Sequence, residues 1–198
     1  MFSGKIEDYI LFEDKEIIVC RKPAGIAVQN ARIGAMDLES SLKNYLAMQD
    51  GGGRRIPYLA VIHRLDQPVE GILVFGKTPE AAKSLSAQIT AGKMEKIYLA
   101  VTYGKQAEAG KKEKVLEDYL KKDGKSNTSS VVNAHTPGAK KARLSYEVLG
   151  EAVDAISGKK KWLLRIHLDT GRHHQIRVQM AHAGMPLAGD RKYGAGTN

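Results

Sequence analysis

The sequence predicts an α+β fold with a mostly antiparallel, mixed central sheet and flanking helices and loops. Three observations indicate this class. Short apolar or alternating runs recur along the 198-residue chain, three segments have helical spacing, and strands and helices do not alternate regularly. Regular alternation would instead favour a parallel sheet.

The first half of the chain is predicted to contain three strands and two helices. Residues 16–22 form an apolar strand that ends in a turn marked by proline and glycine. A helix over residues 38–49 follows Asp37, a good N-cap residue, and its leucines are spaced for one buried face. Apolar runs at 59–65 and 72–76 predict two further strands around a turn.

The second helix is expected to begin at Thr78–Pro79, because proline is favoured at the first helical position, and to run to Gly92. Residues 96–103 alternate and predict a strand. The following stretch, 105–130, is rich in lysine, glycine and serine, and the apolar spacing around 115–120 suggests a short helix there.

The last third is predicted to be a strand pair followed by a helix. Residues 143–149 and 162–169 are predicted strands, the second with apolar residues on one side and polar residues on the other. A helix over about 173–183 is expected to stop at Gly184. No repeat or linker demands a division, so one domain over residues 1–198 is expected.

Composition is that of an ordinary globular protein, with 42% hydrophobic and 27% charged residues. No apolar run approaches the ~20 residues of a membrane span, and the N-terminus lacks a signal-peptide core. The single cysteine, Cys20, lies in an apolar run and is interpreted as a buried, inert thiol. Together these points predict a cytoplasmic protein.

The net charge of +9 is unevenly distributed. Residues 1–99 carry +1, whereas residues 100–198 carry +8. A basic half is what a protein that binds a polyanion needs, because phosphate contacts supply most non-specific affinity for nucleic acid. The alternative is a solvated basic surface that serves solubility only.

The segment His63-Arg64-Leu65-Asp66 is the strongest candidate for chemistry. It ends an apolar run and precedes a turn, so Asp66 is expected at a strand tip, where a carboxylate is held firmly yet reaches a cleft. Alternating spacing would put Arg64 and Asp66 on one side of the strand. The alternative for Asp66 is a residue that only caps backbone amides.

Arg177 and Tyr98 are two further candidates. Arg177 interrupts an apolar stretch, and a buried arginine needs a carboxylate partner, which it would keep ionised. That partner is Asp66 in the functional interpretation and Asp169 or Asp190 in the structural one. Tyr98 is either a core residue of its strand or an aromatic ring that stacks on a nucleobase.

The histidines do not have the spacing of a metal site. His63 and Asp66 would point to opposite faces, and adjacent His173 and His174 would diverge. No metal is therefore expected. The segment Thr170–Arg172 before a helix is interpreted as an anion-binding turn or as a plain turn and cap.

Four segments in order resemble the motifs of the RluA family of RNA pseudouridine synthases, and they extend over roughly residues 12–194. They are Arg21-Lys22-Pro23-Ala24-Gly25; His63-Arg64-Leu65-Asp66 with Gly71-Ile72-Leu73-Val74; Lys96-Ile97-Tyr98-Leu99-Ala100; and Thr170-Gly171-Arg172-His173-His174-Gln175-Ile176-Arg177-Val178 with Gly189-Asp190 and Tyr193-Gly194. The resemblance implies the pseudouridine synthase fold and an isomerase that converts uridine to pseudouridine in structured RNA.

The resemblance also implies roles for particular residues. Asp66 would be the catalytic aspartate, Tyr98 would pack against the target uracil, and Arg177 would pair with Asp66. Arg64 would help to flip the nucleotide out. The remaining motif residues assigned to substrate binding are His63, Arg172, His174 and Gln175. The reaction needs no redox step or group donor, so no cofactor is expected.

The chain departs from the family pattern in two places. Val69-Glu70 stands where relatives usually have Thr-Ser, which puts a second carboxylate near Asp66. The chain stops at Asn198, where relatives normally continue through another strand or two, so either the sequence is truncated at its C-terminus or the sheet is completed differently. No room is expected before residue 12 for the N-terminal RNA-binding module that many relatives carry. A compact, monomeric enzyme acting on ribosomal or transfer RNA without an obligatory protein partner is therefore expected. The alternatives are a catalytically inactive RNA-binding relative and a metal-dependent nuclease.

Overall fold

The computed structural model describes residues 3–30, 36–51, 56–104, 113–155 and 157–194. The chain divides into two compact units, Met1–Met94 and Glu95–Asn198, and each is described by itself. The expectation of one domain stays a prediction. No helix among these residues has the length and hydropathy needed to cross a membrane.

The first unit contains a four-stranded antiparallel sheet, a short 3-10 helix and two α-helices. Its strands are β1 (Ile10–Glu13), β2 (Ile17–Lys22), β3 (Ala60–Val61) and β4 (Gly71–Gly76), in the order β1-β2-β4-β3. Its helices are the 3-10 turn Ile6–Tyr9, α1 (Leu38–Gln49) and α2 (Pro79–Thr90).

The core of the first unit lies between the sheet and α1. Alternate residues of β2 and β4 point inward and are fully buried, among them Ile18 and Phe75. Leu38, Leu42 and Leu46 follow one another at the four-residue spacing of one helix face and pack into the same cluster. This packing fixes β2 and β4. The turn that contains Asp66 precedes β4, and a second turn follows β2.

The second unit contains a five-stranded antiparallel sheet and one α-helix. Its strands are β5 (Ile97–Tyr103), β6 (Lys114–Asp123), β7 (Thr128–Val132), β8 (Lys140–Val153) and β9 (Lys160–Leu168), in the order β5-β9-β8-β6-β7. Its helix is α3 (Gln175–His182).

The helix α3 packs on one face of this sheet. Leu164, Ile166 and Leu168 of β9 are buried in one cluster with Met180 of α3, and Val178 of α3 packs in a second cluster. The polar partners in β9, such as Arg165, are exposed on the opposite face. The alternation predicted for this strand is therefore confirmed, and it places α3 where its first turn meets the ends of β7 and β8.

The α+β class and the long elements are confirmed. Asp37 caps α1 by accepting a hydrogen bond from Ser40 N at 2.7 Å, and Thr78 caps α2 by accepting one from Ala81 N at 3.1 Å. The strands lie in two sheets, one in each unit, and their pairings are antiparallel throughout the described residues. The composition of Gly51-Gly52-Gly53-Arg54-Arg55 predicts a flexible basic loop, and this segment falls largely on residues 52–55, outside the described part of the chain.

Two expectations about secondary structure are wrong. The short helix expected near residues 115–120 is part of strand β6, because β6 pairs on both sides, with β7 and with β8. The ladder hydrogen bonds of two neighbours outweigh a weak helical spacing. The strand expected over 59–65 covers only Ala60–Val61, and the reason lies in the candidate site.

Candidate functional site

Asp66 lies in an irregular segment between β3 and β4. Its carbonyl oxygen accepts a hydrogen bond from Val69 N at 3.0 Å, which closes a turn over Gln67 and Pro68. The residue is half-buried, whereas Arg64 and Glu70 are exposed. The carboxylate is thus attached to a closed turn between two strands of the core, which limits its positions.

His63 explains why strand β3 is short. Its Nε2 atom accepts a hydrogen bond from Val74 N at 3.2 Å, in the register position that follows the Val61–Phe75 pair. The His63 ring therefore accepts the hydrogen bond of the Val74 amide, which a longer β3 would otherwise have accepted. Arg64 and Asp66 consequently lie in irregular backbone, where strand alternation does not determine the side to which they point.

Lys22 joins the Asp66 turn to the turn that follows β2. It is 0% exposed, and its Nζ atom donates to the carbonyl oxygens of Pro23 at 2.9 Å, Ile26 at 2.7 Å and Gln67 at 3.0 Å. Gly25 and Gln67 add two hydrogen bonds between the same turns, Gly25 N to Gln67 O at 2.9 Å and Gln67 Nε2 to Gly25 O at 3.0 Å. Asp66 is therefore next to a backbone carbonyl that is tied into the core.

The charge of Lys22 also acts on this turn. Burial lowers the pKa of Lys22, and the negative charges of Asp66 and Glu70 oppose that effect. Three carbonyl acceptors match the three donors of an ammonium group, so the site is built for the charged lysine. Lys22 is therefore a buried cation beside the turn that contains Asp66.

Sequence reasoning did not single out Lys22 as a site residue. The signal was present, because Ile18, Cys20 and Lys22 occupy alternate positions of one strand and share its inward face. A lysine at the end of an inward-facing row needs several acceptors, and the proline–glycine turn directly after it supplies two of them.

We expect Lys22→Met to destabilise the protein by roughly 2–4 kcal/mol, because methionine fills the space but leaves three carbonyl groups without their donor. Urea unfolding followed by circular dichroism measures the change. Lys15→Met, at an exposed lysine of the same unit, is the matched control and should change the free energy of unfolding by less than about 0.5 kcal/mol. Equal effects of the two substitutions would contradict a structural role for the three hydrogen bonds.

In the second unit, Arg177 forms a two-pronged ion pair with Asp190. Arg177 Nε lies 2.8 Å from Asp190 Oδ2, and Arg177 Nη2 lies 2.7 Å from Asp190 Oδ1. The Asp190 side chain is 4% exposed. Burial alone would raise the pKa of Asp190, but the hydrogen bonds from Arg177 and from the amides of Lys192 and Tyr193 outweigh it, and the pKa is lowered.

This pair is the structural alternative considered for Arg177. Asp190 is thus a functional candidate that the sequence offered only as one of two structural partners. Asp66 belongs to the other compact unit, and its pairing with Arg177 stays a prediction. The fixed guanidinium plane nevertheless gives Arg177 one orientation, which a catalytic role requires.

Tyr193 connects the Arg177 pair to the start of α3. The Arg177 guanidinium carbon is 5.0 Å from the centroid of the Tyr193 ring, and the Tyr193 hydroxyl is 2.8 Å from His174 Nδ1. That hydroxyl also accepts a hydrogen bond from Ser129 N at 2.8 Å. His174, assigned to substrate binding, has a left-handed backbone conformation with φ of 53° at the helix N-cap.

Gln175 and Arg172 are both engaged inside the protein. Buried Gln175 accepts from Thr170 Oγ1 at 2.8 Å and from Arg172 N at 2.9 Å, and it donates to Arg143 O at 3.0 Å. Arg172 is exposed, with its Nε atom donating to Lys141 O at 2.8 Å. Two donors of the proposed anion-binding turn are therefore used by Gln175, and contact of these residues with substrate stays a prediction.

Tyr98 is half-buried on β5. Its ring packs against the core cluster of the second unit, opposite Ile166 in the register. This agrees with a core role, and stacking on a base stays a prediction. Among the described residues, no three histidine, cysteine, aspartate or glutamate side chains converge as metal ligands would.

Comparison with known proteins assigns both compact units to one protein family. The family model described as RNA pseudouridylate synthase matches residues 16–182. The chain is 33% identical over 192 residues to "Ribosomal large subunit pseudouridine synthase D" of Xylella fastidiosa, covering 93% of this chain and 51% of the relative. It is 33% identical over 189 residues to "tRNA pseudouridine synthase C" of Haemophilus ducreyi, covering 93% of this chain and 73% of the relative.

Solved structures agree on the fold. "Human RNA Pseudouridylate Synthase Domain Containing 4" matches with a TM-score of 0.74 at 22% identity, covering 95% of this chain and 69% of that chain. The chain therefore belongs to the RNA pseudouridylate synthase family and has its fold. It spans about half the length of the large-subunit relatives that it matches.

Proposed function

We propose that the protein is an RNA isomerase that converts uridine to pseudouridine. The observation that carries this proposal is the family match over residues 16–182, which contains Asp66, Tyr98 and Arg177. The structure supports it with a carboxylate on a turn tied to buried Lys22 and a guanidinium fixed by Asp190. The basic second half of the chain fits an RNA substrate.

Asp66 is the proposed catalytic residue. In the reaction, the bond between uracil N1 and sugar C1′ breaks, the uracil turns, and a bond between C5 and C1′ forms. The proton lost from C5 is balanced by one gained at N1, so no oxidant, reductant or group donor enters. An ionised Asp66 either attacks the sugar or removes its 2′ proton, and both routes need a negative charge on the carboxylate.

The remaining residues have proposed roles in holding the base. Tyr98 packs against the target uracil, and Arg177 pairs with Asp66 while Asp190 orients it. Arg64, which is exposed beside Asp66, fills the space that the flipped nucleotide leaves. Flipping costs a few kcal/mol, and phosphate contacts made by the basic half offset it. His63, Arg172, His174 and Gln175 complete the proposed substrate-binding set.

The second candidate function is an RNA-binding protein without catalysis. The observation that favours it is Glu70, an exposed second carboxylate four residues after Asp66, which is unusual for the family motif. We propose the active enzyme, because the three residues that the chemistry needs are all present. The relatives' names include ribosomal and transfer RNA, so the proposed substrate is structured RNA, and the proposed location is the cytoplasm.

The purified protein is tested on bulk RNA from a strain that lacks its gene. Carbodiimide treatment and primer extension map pseudouridine after incubation without added metal or cofactor. At least one new site in ribosomal or transfer RNA is expected. RNA that binds the protein but gains no pseudouridine would instead support the non-catalytic alternative, and chelator-sensitive RNA cleavage would support a nuclease.

A further inference from the structure

The end of the β6–β7 hairpin carries exposed lysines that lie close to a third lysine beyond α3. Lys122 is near the end of β6, Lys125 is in the connecting turn, and Lys192 reaches back to the turn by donating from Nζ to Asn127 O at 2.9 Å. We propose that these three lysines, named here the hairpin basic surface, bind RNA phosphates. This inference rests on the proposed function and adds to it a surface that grips the substrate.

The face on which Lys122 lies follows from the strand register. Leu120 packs with Val178 of α3, and Lys122 is two residues further along the same strand, on the same side. Its partner across the hairpin is Ser129, which is buried and hydrogen-bonded to His173. Lys122 therefore lies on the α3 side of the sheet, and Lys192 contacts the turn of the hairpin through Asn127 O.

In the part of the chain that the structure describes, the three lysines have no carboxylate partner, unlike three basic residues of β9. Within the described residues, no carboxylate oxygen lies within 4 Å of their Nζ atoms. By contrast, Lys161 is 2.7 Å from Asp154, Arg165 is 2.7 Å from Glu147, and Lys160 is 4.0 Å from Glu151. An unpaired lysine binds a phosphate at a lower free-energy cost, because no ion pair with a carboxylate has to break first.

The acidic group within the turn is already engaged. Asp123 accepts hydrogen bonds from Lys125 N at 2.9 Å and from Ser126 Oγ at 2.7 Å. These bonds lower the pKa of Asp123, the Ser126 hydroxyl contributing most. The carboxylate thus shapes the turn that presents Lys125.

Hydrogen bonds within the protein hold the β6–β7 hairpin in position without a ligand. His173 holds it at two points, with Nδ1 2.8 Å from Ser129 Oγ and Nε2 3.1 Å from Asn127 Oδ1. Tyr193 accepts from Ser129 N, and Lys192 holds Asn127 O. Because the turn is fixed, binding there costs little additional chain entropy, which favours a specific contact surface over a loosely charged loop.

The test compares two triple variants that lose the same charge. K122Q/K125Q/K192Q removes the hairpin basic surface, and K160Q/K161Q/R165Q removes three carboxylate-paired cations from β9, two strands away. Binding of fluorescein-labelled bulk tRNA is measured by anisotropy between 50 and 250 mM KCl. The first variant should raise Kd at least about tenfold at 100 mM KCl and make the slope of log K against log salt shallower by about 2.

The control variant should change Kd less than about threefold, with the wild-type salt slope. Far-ultraviolet circular dichroism and thermal unfolding check that both variants fold, and K122Q/K125Q keeps the Lys192 contact if the triple variant is unstable. That double variant should still raise Kd about fivefold. Equal losses in the two triple variants, or a hairpin variant within threefold of wild type, would overturn the proposal.

Pseudouridine formation separates this inference from the proposed function. At saturating RNA the hairpin variant should turn over at the wild-type rate, with a raised KM. If wild-type protein makes no pseudouridine in any RNA, the enzymatic proposal fails, while the anisotropy comparison still decides whether the hairpin binds RNA.

Discussion

Asp66→Asn is expected to lower pseudouridine formation at least about a thousandfold, equivalent to roughly 4 kcal/mol of activation free energy. Asparagine has nearly the same shape, so the turn closed by the Asp66 carbonyl and Val69 N should persist. An amide, however, is neither a nucleophile nor a base toward the sugar. Single-turnover assays with saturating enzyme and an RNA containing a mapped site measure the rate.

Two further measurements make this result specific. RNA affinity of Asp66→Asn should stay within about threefold of wild type, which separates loss of chemistry from loss of binding. Glu80→Gln, a carboxylate-to-amide change at an exposed position of α2 in the same unit, should keep the wild-type rate. Turnover of Asp66→Asn within tenfold of wild type would reject Asp66 as the essential group.

Asp190→Ala is expected to lower the free energy of unfolding by roughly 3 kcal/mol. The substitution leaves the Arg177 guanidinium without the buried carboxylate that holds two of its nitrogen atoms. An uncompensated charge in a mostly buried position is strongly destabilising. Urea unfolding followed by the fluorescence of buried Trp162 reports on the same unit.

A matched pair on the surface provides the control. Arg165 and Glu147 are also 2.7 Å apart, but both side chains are about half exposed. Glu147→Ala should therefore cost less than about 1 kcal/mol. If the two alanine substitutions prove equally costly, the Arg177–Asp190 pair contributes no more than an ordinary surface ion pair.

Acid should reduce the difference between wild type and Asp190→Ala. The pKa of Asp190 is lowered from its ordinary value of 3.8, so its stabilising contribution is complete above that value. As the pH falls below about 3.8, the unfolded chain takes up the proton first and the contribution is progressively lost. Repeating the urea titrations from pH 6 to pH 3 should show a constant difference that then narrows, whereas a difference independent of pH would show that the carboxylate charge is not involved.

The elements that the sequence predicted well are those specified by local chemistry. Helix α1 begins after Asp37 and α2 after Thr78, because a side-chain oxygen of each satisfies a backbone amide within its own first turn. Strand β9 was readable because its alternation spans the whole element. These signals depend on neighbours a few residues away and do not require knowledge of the fold.

The elements that were missed depend on distant partners. Strand β6 is held by β7 and β8, and its helix-like spacing has no consequence once both ladders form. Strand β3 ends early because the His63 ring accepts a hydrogen bond from a backbone amide of β4. The Asp123–Gly124 pair at the hairpin turn was a usable signal for β6 and β7, because this dipeptide is typical of hairpins.

Residue chemistry in the sequence determined the α+β class, the family motifs and the candidates Asp66, Tyr98 and Arg177. Tertiary structure alone decided that Lys22 ties the Asp66 turn into the core and that Arg177 is held by Asp190. The reason is that caps and alternation follow from chain neighbours, whereas a buried charge chooses among all the carboxylates and carbonyls that folding brings within reach. Packing decides which of these groups lies nearest to the charge, and neither composition nor residue spacing shows it.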